Sequence, residues 1–481
     1  MLWLALRFPL LPLEIFTRGS AMSGPLAVVT SSAANAAIVA CNQEARRHGI
    51  AAGMPVAAAQ ALASGLRVFT RDVTAERAAL ERVAAWSFQF TPTVSIAAST
   101  EVLLEVAGSL SLFGGLNRLW TDVEQKAAAM GYTTFIAGAP TPLAAQLFAR
   151  AGLSPRIRHY DALRLSLEQL PVGVLELSPT SSDVLQDIGI DTLGKCLELP
   201  RNGLARRTGK ELLDQLDRAL GRAPDPRPAF TPPGNFKAAL PLPAPVTRAE
   251  VLLFAARRLI TELCGLLAAT GKGVQRLEFS LSHEDGDDTR FALDLMAASR
   301  DPAHLVNVLR ERLERLALPS PVTVLALQSE MLLPLTSSSL SFLPDDREQA
   351  TSFVKLVERL RARLGRSSVQ GFDTIADHRP ECAWSAGEPG RESVTPMKWP
   401  PSARPLWLLD PPRPLPEIAE IPQYEGPLTL MTRPECIESG WWNGKDVQRE
   451  YFVACNPAQS LLWIYRESRR NGGWYLHGFF S

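Results

Sequence analysis

The chain has 481 residues, of which 50 are basic and 50 acidic, and 46% are hydrophobic. This length can hold about three domains, and the composition is that of a globular protein, which excludes a disordered or fibrous one. The balanced charge excludes a whole-chain basic field for nucleic acid, so such binding would depend on local patches.

The cysteines and the apolar segments indicate the cellular environment of the protein. No two cysteines form a Cys-x-x-Cys pair, which argues against zinc modules and disulfide scaffolds and favours a reducing, cytoplasmic environment. The apolar N-terminus is interrupted by Arg7, Pro9 and Glu14, so it is interpreted as a buried strand running into a turn and not as a signal peptide. No apolar run of about 20 residues predicts a membrane span.

The first 150 residues alternate between strand-like and helix-like segments, the pattern of an α+β fold. Helices are predicted at Thr74–Phe88 with Thr74 as N-cap, after the Gly114-Gly115 turn, and from about Pro142. Strands are predicted at Leu2–Leu6, Leu26–Thr30, Ala37–Cys41, Val102–Val106 and Thr133–Ala137.

Residues 165–220 contain no strand-like run and predict short helices, with a tight turn at Gly189. The segment 201–210 is predicted to be a loop, and it holds four basic residues and no acid: Arg201, Arg206, Arg207 and Lys210. A helix–glycine–helix unit beside such residues can direct backbone N–H groups and cations at phosphates. The alternative is a small helical bundle with a solvated basic loop.

A proline-rich stretch at 221–245 predicts an extended linker, and a regular order of elements follows. The order βαββαβ predicts a sheet covered on one face by two helices. The strands are expected at Phe236–Leu242, Val274–Ser282, Phe291–Met296 and Val322–Leu327, and the helices from Thr247 to about Thr270 and from Asp301 to about Leu316.

The last part of the chain combines an amphipathic helix with an aromatic tail. The helix has one apolar face and ends at Gly365; the face consists of Phe353, Leu356, Val357, Leu360 and Leu364. Strands are predicted at Val447–Ala454, Leu461–Tyr465 and Trp474–Phe479. Most of the tryptophans stand in this part, and they either fill a small core or form a partner-binding surface.

The segment Cys41-Asn-Gln-Glu-Ala-Arg-Arg-His-Gly-Ile-Ala-Ala-Gly-Met54 resembles the fingers signature of Y-family translesion DNA polymerases. The order of regions over residues 1–330 resembles the same family. The resemblance implies an α+β multidomain fold with a polymerase-like palm and fingers at 1–164 and a helix-hairpin-helix thumb at 165–222. A proline-rich linker at 223–235 and a βαββαβ little finger at 236–330 complete this part.

The tail is similar to that of one branch of this family, the polymerase-like members of bacterial damage-inducible mutagenesis cassettes. The segments that carry this resemblance are Glu438-Ser-Gly-Trp-Trp442, Leu462-Trp-Ile-Tyr-Arg466 and Trp474-Tyr-Leu-His-Gly478. It implies a linker with a clamp-binding peptide at 331–350 and a partner-binding, tryptophan-rich C-terminal region at 351–481.

Nucleotidyl transfer needs carboxylates that hold two Mg²⁺ ions against the reacting oxygens. By the resemblance, the metal-binding Asp positions of the first strand fall on Ala5 and Arg7, and the acidic pair of a later hairpin falls on Thr100 and Glu101. One carboxylate of the usual set remains, so we expect no metal site, no cofactor and no catalytic residue.

The contacts to a nucleotide triphosphate are also reduced. The resemblance leaves Arg46 as the remnant of nucleotide binding, whereas the family's tyrosine falls on Gln43 and its Asn-Lys pair on Thr141-Pro142. A proline offers neither a charge nor an N–H group to a phosphate.

Primer–template DNA is the first partner that the resemblance implies, with Arg201, Arg206, Arg207 and Lys210 of the thumb as its binding residues. Residues 231–330 contain 11 basic against 12 acidic residues. We therefore expect this binding to be weak and steeply dependent on salt.

Protein partners follow from the same resemblance. A clamp-binding peptide is expected at Ser337, Leu340 and Phe342, where two apolar anchors suit a hydrophobic pocket of the replicative sliding clamp; the alternative is a plain linker. A RecA-like protein and an error-prone polymerase of the replicative type are expected to bind the tail, with Trp441, Trp442, Trp463 and Trp474 as contact residues. Adjacent residues of a strand face opposite sides, so at least one of Trp441 and Trp442 should be exposed.

The sequence thus favours a non-catalytic, polymerase-like scaffold for DNA and proteins. Two alternatives stay open. An active Y-family polymerase could use Glu101 with displaced carboxylates such as Glu14 and Glu105, or the chain could be a protein-only adaptor that does not bind DNA.

Overall fold

The structure is a computed structural model that describes residues 1–19, 22–33, 35–335, 346–390, 404–442, 444, 446–468 and 472–480. The chain divides into two units, Met1–Arg363 and Leu364–Ser481. No helix in the described ranges is both long enough and apolar enough to cross a membrane.

Strands and helices alternate through the first 150 residues. In chain order they are β1 (Trp3–Arg7), α1 (Leu11–Thr17), β2 (Leu26–Val29), β3 (Ile38–Cys41), α2 (Gln43–Arg47), α3 (Val56–Leu62), β4 (Arg67–Thr70), α4 (Val73–Ser87), β5 (Val94–Ala98), β6 (Glu101–Glu105), α5 (Leu116–Ala129), β7 (Phe135–Ala139) and α6 (Pro142–Arg150).

The first sheet has the antiparallel order β5-β6-β1-β7. Because side chains of a strand alternate between faces, Leu4 and Leu6 of β1 pack under α4 and α5. Trp3 and Ala5 of the same strand pack on the opposite face with α6. This second face, covered by α6, holds the positions that the sequence singled out for metal chemistry.

A smaller sheet of order β3-β2-β4 and helices α2 and α3 form the fingers-like region around their own core. Two local predictions in residues 1–90 were wrong. The segment after β1 is the helix α1, which has Pro12 in its first turn, where a proline is tolerated. The N-cap of α4 is Asp72 and not Thr74, because the Asp72 carboxylate accepts the Ala75 N–H at 2.9 Å.

The thumb-like region is helical, as predicted, and its helices share a core with α6. Its elements are α7 (Tyr160–Glu168), α8 (Pro179–Asp187), α9 (Leu193–Glu198), α10 (Arg201–Thr208) and α11 (Lys210–Ala219). The prediction of a loop at 201–210 was wrong. The segment is the helix α10, and the chain turns only at Gly209, whose φ of 81° suits a residue without a side chain.

The predicted βαββαβ order is confirmed in the little-finger region. Its elements are β8 (Phe236–Val246), α12 (Leu252–Thr270), β9 (Lys272–His283), β10 (Thr289–Ser299), α13 (Pro302–Leu313) and β11 (Val322–Ser329), followed by β12 (Leu332–Pro334) and α14 (Asp346–Leu364). The sheet order is β10-β9-β11-β8, with α12 and α13 packed on one face. Three prolines of the expected linker lie in β8, an edge strand, where the missing N–H groups are tolerated.

Helix α14 belongs to the first unit as far as Arg363. The boundary expected at residue 351 therefore falls inside a helix whose Ala362 packs on the little-finger core.

The second unit is rich in strands. They are β13 (Gly371–Thr374), β14 (Trp384–Gly387), β15 (Trp407–Leu415), β16 (Glu417–Ile418), β17 (Ile421–Pro422), β18 (Thr429–Leu430), β19 (Glu435–Ser439), β20 (Val447–Cys455), β21 (Leu461–Glu467) and β22 (Trp474–Phe479). The main sheet has the order β15-β22-β21-β20-β18, with β19 also paired to β20. The three strands predicted in the tail are confirmed as β20, β21 and β22.

Candidate functional site

Two of the positions that the resemblance assigned to metal ligands, Ala5 and Arg7, lie at the centre of the first sheet. Ala5 is fully buried between Leu103 and Ala137 of the neighbouring strands, and its methyl group cannot bind a cation. Arg7 lies opposite Glu101 in the register of β1 and β6. A guanidinium thus stands beside the one acidic position that remains.

Both oxygens of the Glu101 carboxylate are engaged by groups of α6. Arg150 donates from Nε to one oxygen at 2.7 Å and from Nη2 to the other at 2.9 Å, and Gln146 donates to the second at 2.8 Å. Glu101 is 3% exposed. Such a bidentate pair satisfies the carboxylate within the protein.

The charge of Arg150 is maintained in this environment. Burial lowers the pKa of Arg150, but the hydrogen bonds and negative charge of Glu101 outweigh burial, so the pKa is raised above its usual value. The guanidinium therefore stays protonated, and Glu101 faces a permanent cation.

Arg7 and Thr100 have structural contacts. Arg7 donates from Nη1 to the Arg150 carbonyl at 2.6 Å, at the C-terminus of α6, where a cation is favoured. The Thr100 carbonyl accepts the Phe8 N–H at 2.8 Å.

The other two candidate carboxylates have separate partners. Glu14 accepts the Thr133 N–H at 2.8 Å, and Glu105 accepts the Leu2 N–H at 3.0 Å. In the described part of the chain, no group of three or more His, Cys, Asp or Glu side chains could hold a metal ion.

The N-terminus of α6 receives a carboxylate of the same chain. Asp225 accepts the Leu143 N–H at 3.1 Å, and Thr141 both accepts the Ala144 N–H at 3.3 Å and donates to the Ala219 carbonyl of α11 at 2.7 Å. The N-terminus of a helix favours an anion, and here Asp225 supplies it. The resemblance assigned this place, Thr141-Pro142, to the triphosphate.

Sequence reasoning missed both Arg150 and Asp225. Asp225 lies in the proline-rich linker and pairs with Arg227 at 2.6 Å. The sequence feature that could have indicated this pair is an acid and a base two residues apart between prolines. Further along the linker, the Phe230 N–H bonds to the Val94 carbonyl of β5 at 2.8 Å, so the linker is fixed to the first sheet.

Arg46 lies on the exposed side of α2, and among the described residues its side chain has no ion-pair or hydrogen-bond partner. Its guanidinium is therefore available to solvent. Its helix is held by Asn42, whose side chain accepts the Ala45 N–H at 2.9 Å.

The basic residues of the thumb differ in their availability. Arg201 donates to both oxygens of Asp217, at 3.0 and 2.5 Å, so its charge is compensated. Arg206, Arg207 and Lys210 are exposed around the Gly209 turn, and within the described ranges none of them forms an ion pair. These three form the open basic patch of the thumb.

The outer face of the little-finger sheet carries paired charges. Arg276 contacts Glu278 at 3.0 Å and Asp294 at 3.2 Å, and Arg290 contacts Asp288 at 3.8 Å. Arginines that are already paired attract phosphates weakly.

The tryptophans of the second unit fall into two groups. Trp441 and Trp442 are 79% and 59% exposed. Trp463 and Trp474 are 2% and 6% exposed and pack on opposite faces of the sheet. The interpretation of Trp463 and Trp474 as partner-binding residues was wrong, because they fill the core.

The expected clamp-binding peptide, Ser337, Leu340 and Phe342, lies outside the described residues.

Comparison with known proteins agrees with this architecture. Residues 17–150 match the model of the impB/mucB/samB family. DNA polymerase IV of Pseudomonas entomophila is 26% identical over 189 residues, which are 38% of this chain and 53% of that protein. The chain is a Y-family polymerase-like protein.

Its similarity to one such protein extends much further. Protein ImuB of Caulobacter vibrioides (strain NA1000 / CB15N) is 28% identical over 468 residues, which cover 90% of this chain and 100% of that protein. The chain is therefore ImuB-like. Among solved structures, an insertion ternary complex of Dbh DNA polymerase aligns with a TM-score of 0.41 and 19% identity, covering 70% of this chain and 100% of that one. DinB from Sulfolobus solfataricus aligns with a TM-score of 0.38 and 20% identity over the same shares.

Proposed function

We propose that the chain is a non-catalytic, Y-family polymerase-like scaffold in DNA-damage-induced (SOS) translesion synthesis and mutagenesis. It acts in the cytoplasm, binds primer–template DNA and the sliding clamp, and recruits an error-prone polymerase of the replicative type and an ImuA-type RecA-like protein.

The bidentate pair between Glu101 and Arg150 carries the non-catalytic part of this proposal. Two Mg²⁺ ions need several carboxylate oxygens to hold them. Here the remaining carboxylate binds a guanidinium, and positions 5, 7 and 100 are Ala, Arg and Thr. Arg46 and the internally capped α6 leave few groups for a triphosphate.

DNA binding rests on the open basic patch of the thumb, Arg206, Arg207 and Lys210. It supplies three uncompensated cations beside a helix–glycine–helix turn, a geometry suited to phosphates of any sequence. The paired charges of the little finger favour weak binding that falls steeply with salt.

The decisive experiment is primer extension by the purified full chain with Mg²⁺ or Mn²⁺, with DNA binding recorded in the same samples. We expect binding without extension. Extension that disappears in Glu101→Ala would replace the proposal with an active polymerase.

Replacing Arg206, Arg207 and Lys210 with Ala should weaken DNA binding at every sequence and reduce the salt slope by about three. The matched control replaces Arg77, Arg164 and Arg248, which are exposed but each paired with a nearby acid. Equal loss in both variants would contradict the thumb assignment, and no DNA binding by the unaltered chain would favour the protein-only adaptor.

Clamp binding is tested by deleting residues 337–343 and measuring retention on immobilised sliding clamp. We expect retention to be lost, and undiminished retention would count against this peptide.

A further inference from the structure

Helix α14 is held on the little finger by one side only. Val357 and Glu358 are 4% and 3% exposed. The Glu358 carboxylate contacts His304 Nε2 at 2.6 Å with one oxygen and accepts the Met296 N–H at 2.6 Å with the other. A buried polar group with both oxygens engaged fixes the rotation of the helix about its axis.

The outward side of α14 presents a line of large apolar side chains. Phe353, Leu356, Leu360 and Leu364 are 45%, 52%, 37% and 47% exposed. Their spacing of three and four residues places them along one stripe of the helix, which we call the α14 ridge. Single exposed apolar residues are ordinary, whereas a contiguous line of four marks a surface for another molecule.

Three basic residues of α14 lie beside the ridge. Lys355, Arg359 and Arg363 are exposed, and no acidic residue is exposed between 352 and 364. Lys355 and Arg359 also reach Asp301 at 3.5 Å and Glu311 at 2.7 Å. Arg363 has no ion-pair partner in the described part of the chain. Lys355 and Arg359 are therefore compensated, and Arg363 is the uncompensated cation of these three.

The apolar ridge and the cation beside it favour one kind of binding partner. An apolar stripe on a helix fits the apolar face of a second helix, and the uncompensated Arg363 beside it favours an acidic residue on that partner. A second copy of α14 offers no exposed acidic residue between 352 and 364 to pair with Arg363, which disfavours self-association through the ridge.

We propose that the α14 ridge is the docking site for an acidic amphipathic helix of a partner protein. The inference deepens the recruiting role proposed above and rests on it, since it names the surface and the chemistry of one recruited protein. It assigns this role to α14 and not to the tryptophan-rich tail.

The test uses the full chain and two synthetic amphipathic helical peptides with the same leucine stripe, one with Glu and one with Lys along its margin. Fluorescence anisotropy should show binding of the Glu-margin peptide and at least tenfold weaker binding of the Lys-margin peptide. Leu356→Ser with Leu360→Ser should weaken the first interaction at least tenfold. Leu165→Ser is the control, because Leu165 is 68% exposed but lies on α7.

Charge reversal makes the test sharper. In Arg363→Glu, the preference between the two peptides should shrink or reverse, with the unfolding transition unchanged because the side chain is exposed. Absence of binding, equal binding of both peptides, or indifference to the ridge variants would overturn the proposal. Self-association through the ridge in sedimentation, or binding of the ridge to anionic phospholipid vesicles in place of the Glu-margin peptide, would also overturn it.

DNA binding and primer extension are measured on the unaltered chain as well as on the ridge variants. If the unaltered chain binds DNA without extension but does not bind the Glu-margin peptide, only the docking site is removed. Primer extension removes the non-catalytic proposal whatever the peptide does.

Discussion

The Arg18 guanidinium and the Glu262 carboxylate form an ion pair in which the side chains are 1% and 0% exposed. Arg18 follows α1 of the palm-like region, and Glu262 lies on α12 of the little finger. Arg82 of α4 contacts the second oxygen of Glu262 at 3.0 Å, and the Arg18 guanidinium lies 4.4 Å from the centre of the Tyr132 ring. The little finger is thereby joined to the palm through a desolvated charge cluster.

Breaking this cluster should loosen the little finger. Arg18→Met leaves Glu262 buried with one partner fewer, and we expect a loss of about 3–5 kcal/mol in the free energy of unfolding. Urea unfolding measures the loss, and hydrogen exchange should become faster in α12. Arg77→Met, in an exposed pair with Glu81, should change stability by less than about 1 kcal/mol. Equal effects of the two substitutions would contradict the assignment.

A glycine in α12 allows the two regions to approach closely. A Cβ atom at Gly265 would lie 2.9 Å from Cγ of Trp86 and closer still to Cδ1. Gly265→Ala should therefore destabilise the protein by about 1–3 kcal/mol, although alanine is the better helix former. Gly203→Ala in α10 meets no atom within 4 Å and should stabilise by up to about 1 kcal/mol. Thermal unfolding of both variants tests the opposite signs.

The Glu101–Arg150 pair should behave as a buried pair in solution. Arg150→Met leaves the Glu101 carboxylate buried without its cation, and we expect the free energy of unfolding to fall by about 3–5 kcal/mol. The double variant Glu101→Leu, Arg150→Met should recover most of it, because well-packed apolar groups replace such a pair at little cost. Urea unfolding distinguishes them. Arg164→Met, in an exposed pair with Glu168, is the control, and a double variant as unstable as Arg150→Met would refute the explanation.

Glu14 should make stability depend on pH. Burial raises its pKa from 4.5 to about 7, against the hydrogen bond from Thr133 and the charge of Arg18. Between these values the folded protein holds a proton that the unfolded chain releases. The contribution to stability is therefore complete below pH 4.5 and is lost as the pH rises through about 7, in total about 3–4 kcal/mol.

Glu14→Gln should remove that pH dependence. The free energy of unfolding of the variant, relative to that of the unaltered chain, should therefore increase from pH 5 to pH 8. Urea unfolding at both values measures it, with Glu81→Gln as an exposed control. A Gln variant that still loses the same stability between the two values would disprove the role of Glu14.

Substitutions of the buried and of the exposed tryptophans in the second unit should differ in their effect on stability. Trp463→Ala empties a buried position stacked on Tyr451, with ring centres 4.2 Å apart, and should cost about 3–5 kcal/mol. Trp441→Ala should change stability by less than about 0.5 kcal/mol, since the side chain is exposed. Thermal unfolding of the full chain compares them, and similar losses would contradict the division into core and surface.

Periodicity predicted the long elements well, because α12, α13 and the tail strands each bury one face and carry the corresponding pattern. It failed at α1, where an apolar run with a proline was interpreted as a strand and turn. It failed again at α10, where a run of basic residues concealed a helix.

The sequence could predict only those features of the candidate site that depend on residue identity alone. Ala5, Arg7 and Thr100 lack acidic side chains in any fold. The partners of the site could not be predicted, because Arg150 is 49 residues from Glu101 and Asp225 is 82 residues from Leu143. Burial of Trp463 and Trp474 likewise depends on which strands become neighbours.

The Glu101–Arg150 pair also bears on how readily metal ligands could be introduced at this centre. An Asp introduced at position 5 alone would bring an unpaired carboxylate into a site with 0% exposure, and removal of Arg150 alone would leave Glu101 without its cation; each step is destabilising by itself. An engineered two-metal centre would therefore have to cross a stability barrier if it were built one substitution at a time.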